Sequence, residues 1–85
     1  MQNYKENQTD ARTFPEIWAS LNADQQDRLA SRIYQKGCCK TRQTIWNWGT
    51  GRVKPSVPII RNTVAQVVSS TIGVTVEPHT LFPSR

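Results

Sequence analysis

The chain has 85 residues, a formal net charge of +5 and a hydrophobic fraction of 36%. That length holds one small domain with a thin core and leaves no room for a catalytic α/β fold of ordinary size. No apolar run nears the roughly 20 residues of a membrane span, the polar start has no signal-peptide pattern, and adjacent Cys38 and Cys39 are not a disulfide framework, so a cytoplasmic location is expected.

Residues 1–11 are read as a disordered N-terminal arm, because they are polar and aperiodic. The domain is expected over 12–85. Thr13-Phe-Pro-Glu16 is a capping-box pattern, and Phe14, Ile17, Trp18 and Leu21 then recur at the spacing of one helix face. Asn22-Ala-Asp-Gln25 is a second capping pattern and opens a helix of about 23–36. Its buried stripe is Leu29, Ala30, Ile33 and Tyr34, and Gly37 can take the left-handed conformation that ends it.

Thr41 is the next N-cap candidate, for a helix of about 42–49. At 100° per residue, Thr44, Ile45 and Trp48 share one side, and Arg42, Gln43, Trp46 and Asn47 share the other. Gly49 and Gly51 are expected to end the helix and begin a basic loop. Ser56 is the N-cap candidate for the last long helix, with Pro58 in its first turn. Ile60, Val64, Val67, Val68 and Ile72 are β-branched, which favours strands, but their 3.6-residue periodicity predicts a helix to about 71. Residues from about 74 read as an extended tail that packs Leu81 and Phe82 on the core.

Charge is unevenly placed. Between Asp27 and Glu77 there is no acid, while Arg28, Arg32, Lys36, Lys40, Arg42, Arg52, Lys54 and Arg61 supply eight cations. Such a field attracts polyanions; the plainer reading is a solvated basic face.

Two amphipathic helices joined by a turn with Gly37 fit the physical description of a helix-turn-helix. The second helix presents side chains suited to base edges: Arg42 for guanine, Gln43 or Asn47 for adenine. Lys40, Thr41, Thr50, Arg52 and Lys54 flank it where phosphates would run. Trp46 has three readings: a contact to a thymine methyl or sugar, packing on the loop at 52–54, or a protein contact.

Thr41, Thr44, Ile45, Trp48, Gly51 and Pro55 follow the pattern Ser/Thr-x-x-Thr-Ile-x-x-Trp-x-x-Gly-x-x-x-Pro. In this the chain resembles the phage-repressor/Cro-like helix-turn-helix family. The resemblance implies that Ile45 and Trp48 are core residues and that Arg42, Gln43, Trp46 and Asn47 face the major groove. Gln26-Asp-Arg-Leu29-Ala30 also fits the family's second-helix opening, but Ala30 to Ile45 is longer than usual by several residues. Either the second helix is extended or the Gln26 match is accidental.

Cys38, Cys39 and His79 lack the paired spacing and fourth ligand of a zinc site. They also lack the other parts of an acyl-transfer site, so both cysteines are read as small buried thiols. The expectation is an all-α, compact four- to five-helix helix-turn-helix domain, lambda-repressor-like, without catalysis, metal or other cofactor. It would bind double-stranded DNA as a small bacterial or phage transcriptional regulator. A homodimer is common for such modules, although no zipper or dimer helix is visible, and no membrane or small-molecule substrate is indicated. The alternative is a protein–protein interaction module, using Trp46 or the face of helix 58–72, with incidental basic charge.

Overall fold

The computed structural model describes residues 9–83. Within them the chain is all-α but for two short strands. The order is β1 (Thr9–Asp10), α1 (Phe14–Ser20), α2 (Ala23–Gln35), α3 (Arg42–Thr50), α4 (Pro58–Ile72), β2 (Thr75–Val76) and α5 (Pro78–Leu81).

Local chemistry starts the first two helices. At α1, Glu16 N–H donates to Thr13 Oγ1 and Thr13 N–H donates to Glu16 Oε1, at 3.4 and 2.8 Å. At α2, Gln25 N–H donates to Asn22 Oδ1 at 2.8 Å and Asn22 N–H donates to Gln25 Oε1 at 2.9 Å. Each box satisfies two backbone donors that a helix start otherwise leaves unpaired. Gly37, at φ 78°, turns the chain after α2. The helix is continuous from Ala23 to Gln35. The long spacing before α3 is therefore taken up partly by helix. Gln26, in the first turn, donates from Nε2 to the Trp18 carbonyl at 2.8 Å and so ties α2 to the end of α1.

The core is continuous from α1 to α5. Phe14, Ile17 and Trp18 of α1 meet Ile45 and Trp48 of α3; Leu29, Ala30 and Ile33 of α2 meet Val64, Ala65, Val67 and Val68 of α4. Leu81 and Phe82 close it from the C-terminal side, as expected. Its aromatic end is a chain of rings: Phe14 lies 5.7 Å from Trp18 and 5.4 Å from Phe82, and Phe82 lies 6.3 Å from Trp48. Tilted and edge-on ring pairs of this kind stabilise beyond the area they bury. The periodicity of α4 outweighs its β-branched composition, because α2, β2 and α5 pack against it and its apolar face joins their common core.

Several expectations are corrected. The disordered arm does not extend through residue 11: Thr9 and Asp10 pair in parallel with Thr75 and Val76, and Asp10 grips Arg12 at 2.6 Å. The remainder of that arm, residues 1–8, lies outside the described residues, as do residues 84–85 of the tail. The tail is not extended throughout, since Pro78–Leu81 is helical. It is anchored upstream by Ser69, whose Oγ accepts from Val76 N–H at 2.9 Å. Val57, not Ser56, is the N-cap of α4, with no side-chain cap bond. Tyr34 is exposed, one residue past the buried stripe. Gly49 does not end α3. It lies inside the helix, where an added Cβ would meet the Trp18 indole at 2.5 Å. The missing side chain lets α3 approach α1; only Gly51, at φ 84°, terminates it.

Candidate nucleic-acid interface

Helix α3 begins without a side-chain cap. Thr41 has the extended backbone of an N-cap, but its Oγ1 lies 3.4 Å from Thr44 Oγ1 and caps no backbone N–H. The helix ends in a paired closure: Arg52 N–H donates to the Asn47 carbonyl at 3.0 Å and Gly51 N–H donates to the Trp48 carbonyl at 3.2 Å. This is the Schellman arrangement that glycine permits. It fixes Arg52 two residues beyond the helix.

Arg42 and Gln43 are exposed and Asn47 is half-buried. The Arg42 guanidinium sits 5.9 Å from the centre of the Tyr34 ring, within cation–π range. The Gln43 amide donates from Nε2 to Asn47 Oδ1 at 3.2 Å, one turn along the helix. These two amides therefore present a linked polar edge. Gln43, Trp46, Asn47, Thr50 and Arg52 border a shallow depression of about 270 Å³. Thr50 and Arg52 are exposed at its border, and Lys40 and Thr41 are exposed before the start of α3.

Two of the expected contacts differ. Trp46 is not carried clear of the core: it is half-buried, with its ring edge-on to Trp18 at 4.9 Å. It packs neither as a free groove contact nor as a lid on residues 52–54 alone, because α1 offers a large indole surface on that side. Lys54 is exposed but its ammonium is bonded to the Pro83 carbonyl. It belongs to the contact between the basic loop and the chain end.

The other cations divide sharply. Arg28 pairs with Asp24 at 3.0 Å. Arg32 donates to Thr71 Oγ1 and Ser70 Oγ at 3.0 and 3.1 Å, joining α2 to α4. Arg61 donates from Nε to the Pro55 carbonyl at 2.7 Å and is half-buried. The side chains of Lys36, Lys40, Arg42 and Arg52 have no hydrogen-bond or ion-pair partner among the described residues. Lys40, Arg42 and Arg52 lie just before, on or just after α3, a helix with no acid of its own, and Lys36 stands at the C-terminal end of α2.

Cys38 and Cys39 are free and half-buried, less enclosed than expected. Burial pushes both thiols above the ordinary range, the proximity of Cys38 adds to the rise at Cys39, and a hydrogen bond with Thr63 opposes it at Cys38. A raised thiol holds little thiolate at neutral pH, the reverse of an activated nucleophile. Among the described residues, no three His, Cys, Asp or Glu side chains gather as metal ligands, and no helix is long and apolar enough to cross a membrane. The free polar and cationic groups offer hydrogen bonds and charge to an external anion, without a nucleophile–base pair among them.

Comparison with protein-family models, curated proteins and solved structures finds no match to the chain.

Proposed function

We propose that the chain is a sequence-specific double-stranded DNA-binding domain of the helix-turn-helix kind, with α3 as its recognition helix, serving as a small transcriptional regulator. The observation that carries this reading is the division of cations. Among the described residues, the side chains of Arg12, Arg28, Arg32 and Arg61, remote from α3, are engaged within the chain, whereas those of Lys36, Lys40, Arg42 and Arg52 have no hydrogen-bond or ion-pair partner and can serve an outside one. In this reading Arg42, Gln43 and Asn47 meet base edges in the major groove, where a guanidinium and an amide have distinct donor and acceptor partners. Lys36, Lys40, Thr41, Thr50 and Arg52 hold the phosphates, which position the helix without reading sequence. Uncapped first-turn amides of α3 add donors toward a phosphate. Trp46 contributes through its exposed edge while bracing α3 on Trp18.

Selection of bound duplexes from a random pool tests the proposal. The expected result is an enriched motif of a few adjacent base pairs, lost at one position when Arg42 is replaced by Ala. Recovery of no motif, with equal retention of all duplexes, would remove sequence-specific recognition.

A further inference from the structure

The turn between α2 and α3 sets two thiols side by side. Cys38 and Cys39 are free, half-buried and packed against the core, outside either helix. A hydrogen bond with Thr63 of α4 holds Cys38 from across the domain. The neighbouring Gly37 faces open space, since a Cβ added there would meet nothing within 4 Å. The backbone disfavours a direct bond between the two sulfurs. Among the described residues no peptide bond is cis, so these consecutive Cα atoms lie about 3.8 Å apart. A disulfide ordinarily spans roughly 4.4–6.8 Å. The pair is therefore better suited to a single bridging atom than to closing on itself.

Three observations select that atom. Thiol sulfurs are soft donors and favour soft acceptors. There are two of them, and among the described residues no third His, Cys, Asp or Glu joins them. The acceptor therefore has two exchangeable positions, not the four of a structural zinc. The charge is also decisive: Lys36 acts on Cys38, and Lys40 follows Cys39 in the chain. A divalent cation would have to expel two thiol protons and settle beside these ammonium groups, whereas a neutral acceptor meets no such opposition.

We propose that Cys38 and Cys39 together form a dithiol site for a neutral trivalent arsenical carrying one organic group. In the reaction with an arsine oxide, two As–S bonds form and the arsenic–oxygen bond breaks. The two thiol protons leave with that oxygen as one water, and no atom changes oxidation state. Protonated thiols are the reactants on both sides of the balance, so the pair needs no activation as thiolate. The site stands independently of the DNA reading. An effect of the adduct on duplex binding follows only where that reading also holds.

Phenylarsine oxide, added to the reduced full chain and followed by intact mass and backbone amide NMR, is the probe. The expected adduct is one reagent less one water, with neither cysteine open to alkylation by iodoacetamide. The spectrum should stay folded, with shifts at residues 37–41 and at Thr63. 2,3-Dimercaptopropanol should strip the arsenic, and glutathione at equal thiol concentration should not. Cys38→Ser and Cys39→Ser should each weaken binding about 100-fold, the loss of the second, intramolecular attachment. Zinc(II) at the same concentration should leave both thiols of the parent open to alkylation. The proposal is overturned by no adduct, or by an adduct that leaves one cysteine alkylatable. Binding by either serine variant as tight as the parent's, equal protection by zinc, or an adduct formed only with loss of the folded spectrum would overturn it too.

Discussion

On the inward face of α3, Ile45 and Trp48 are buried and Gly49 lies so close to Trp18 that a methyl group finds no room. On the outward face of the same nine-residue helix, Arg42 and Gln43 are exposed, and their partners are a ring face and a neighbouring amide. The inward side is determined by steric fit, where each atom has a fixed neighbour. The outward side carries groups whose hydrogen-bonding capacity the chain does not use up. A basic segment is therefore informative about function only once its internally satisfied members are set aside. Arg32 and Arg61 carry the same charge as Arg42 and Arg52, but they staple the fold.

The largest expected effect is on the inward face. Trp48→Ala should cost about 3–5 kcal/mol, the usual range for a buried large aromatic. A domain of this size has only about 0.05–0.15 kcal/mol of stability per residue, so thermal unfolding followed by circular dichroism should show a large fall in melting temperature. A normal melt would mean that α3 does not depend on this side chain and that its faces are misassigned.

Next comes a pair of arginines that sets the two kinds of cation against each other. Arg42→Ala should weaken DNA binding by about 1–3 kcal/mol and relax preference at one base pair, with little change in melting temperature. Arg61→Ala should do the opposite. It removes a charged donor from the Pro55 carbonyl, at a cost of about 1–2 kcal/mol in stability, and leaves the affinity of the folded fraction unchanged. Titration and melting of both variants measure the contrast, and identical behaviour would break it.

Trp46 straddles the two faces and sharpens the boundary between them. Its half-buried indole against Trp18 leads to an expected loss of about 1–2 kcal/mol for Trp46→Ala, below the full core value, together with weaker DNA binding. A variant as stable as the parent would place Trp46 wholly on the outward side.

The smallest effect belongs to β1. The side-chain hydrogen bond from Arg12 holds the Asp10 carboxyl below its ordinary value. Its ionised form therefore favours the folded state, and that contribution is present above the unfolded value of about 4 and is lost as pH falls through the lower folded value. Being near the surface, the pair contributes under about 1 kcal/mol. Asp10→Asn should lower the melting temperature slightly at neutral pH, and the difference should fade as acidification passes through the lowered folded value. A difference that persists in acid would assign the effect to something other than the carboxylate charge.

The starts of the first two helices were legible in the sequence because their chemistry is local. Thr13 with Glu16, and Asn22 with Gln25, act across three residues and need no tertiary partner. The inward positions of α3 and α4 were legible through periodicity, since burial repeats with the helical turn. What escaped depends on distant parts of the chain. Pairing of Thr9–Asp10 with Thr75–Val76 joins the two ends of the domain, and two-residue strands leave no alternation to read. Gly49 looks like a terminator until Trp18 is seen against it. Trp46 falls on the polar side by angle, but an indole is wide enough to reach back to α1. In the candidate interface, Lys40, Thr41, Arg42, Gln43, Thr50 and Arg52 are exposed as their spacing implied. Lys54 is diverted by the Pro83 carbonyl, a partner no spacing rule reveals.

The most direct test of α3 as a DNA-facing helix is the salt dependence of duplex binding, compared between the parent chain, Arg52→Ala and Arg61→Ala. Three cations assigned to phosphates, Lys36, Lys40 and Arg52, give a log K against log salt slope of about −2.7. Arg52→Ala should make the slope shallower by about one unit, and Arg61→Ala should leave it unchanged. A parent slope near zero, or an equal change in slope for the two variants, would contradict the assignment of DNA binding to the unpaired cations around α3.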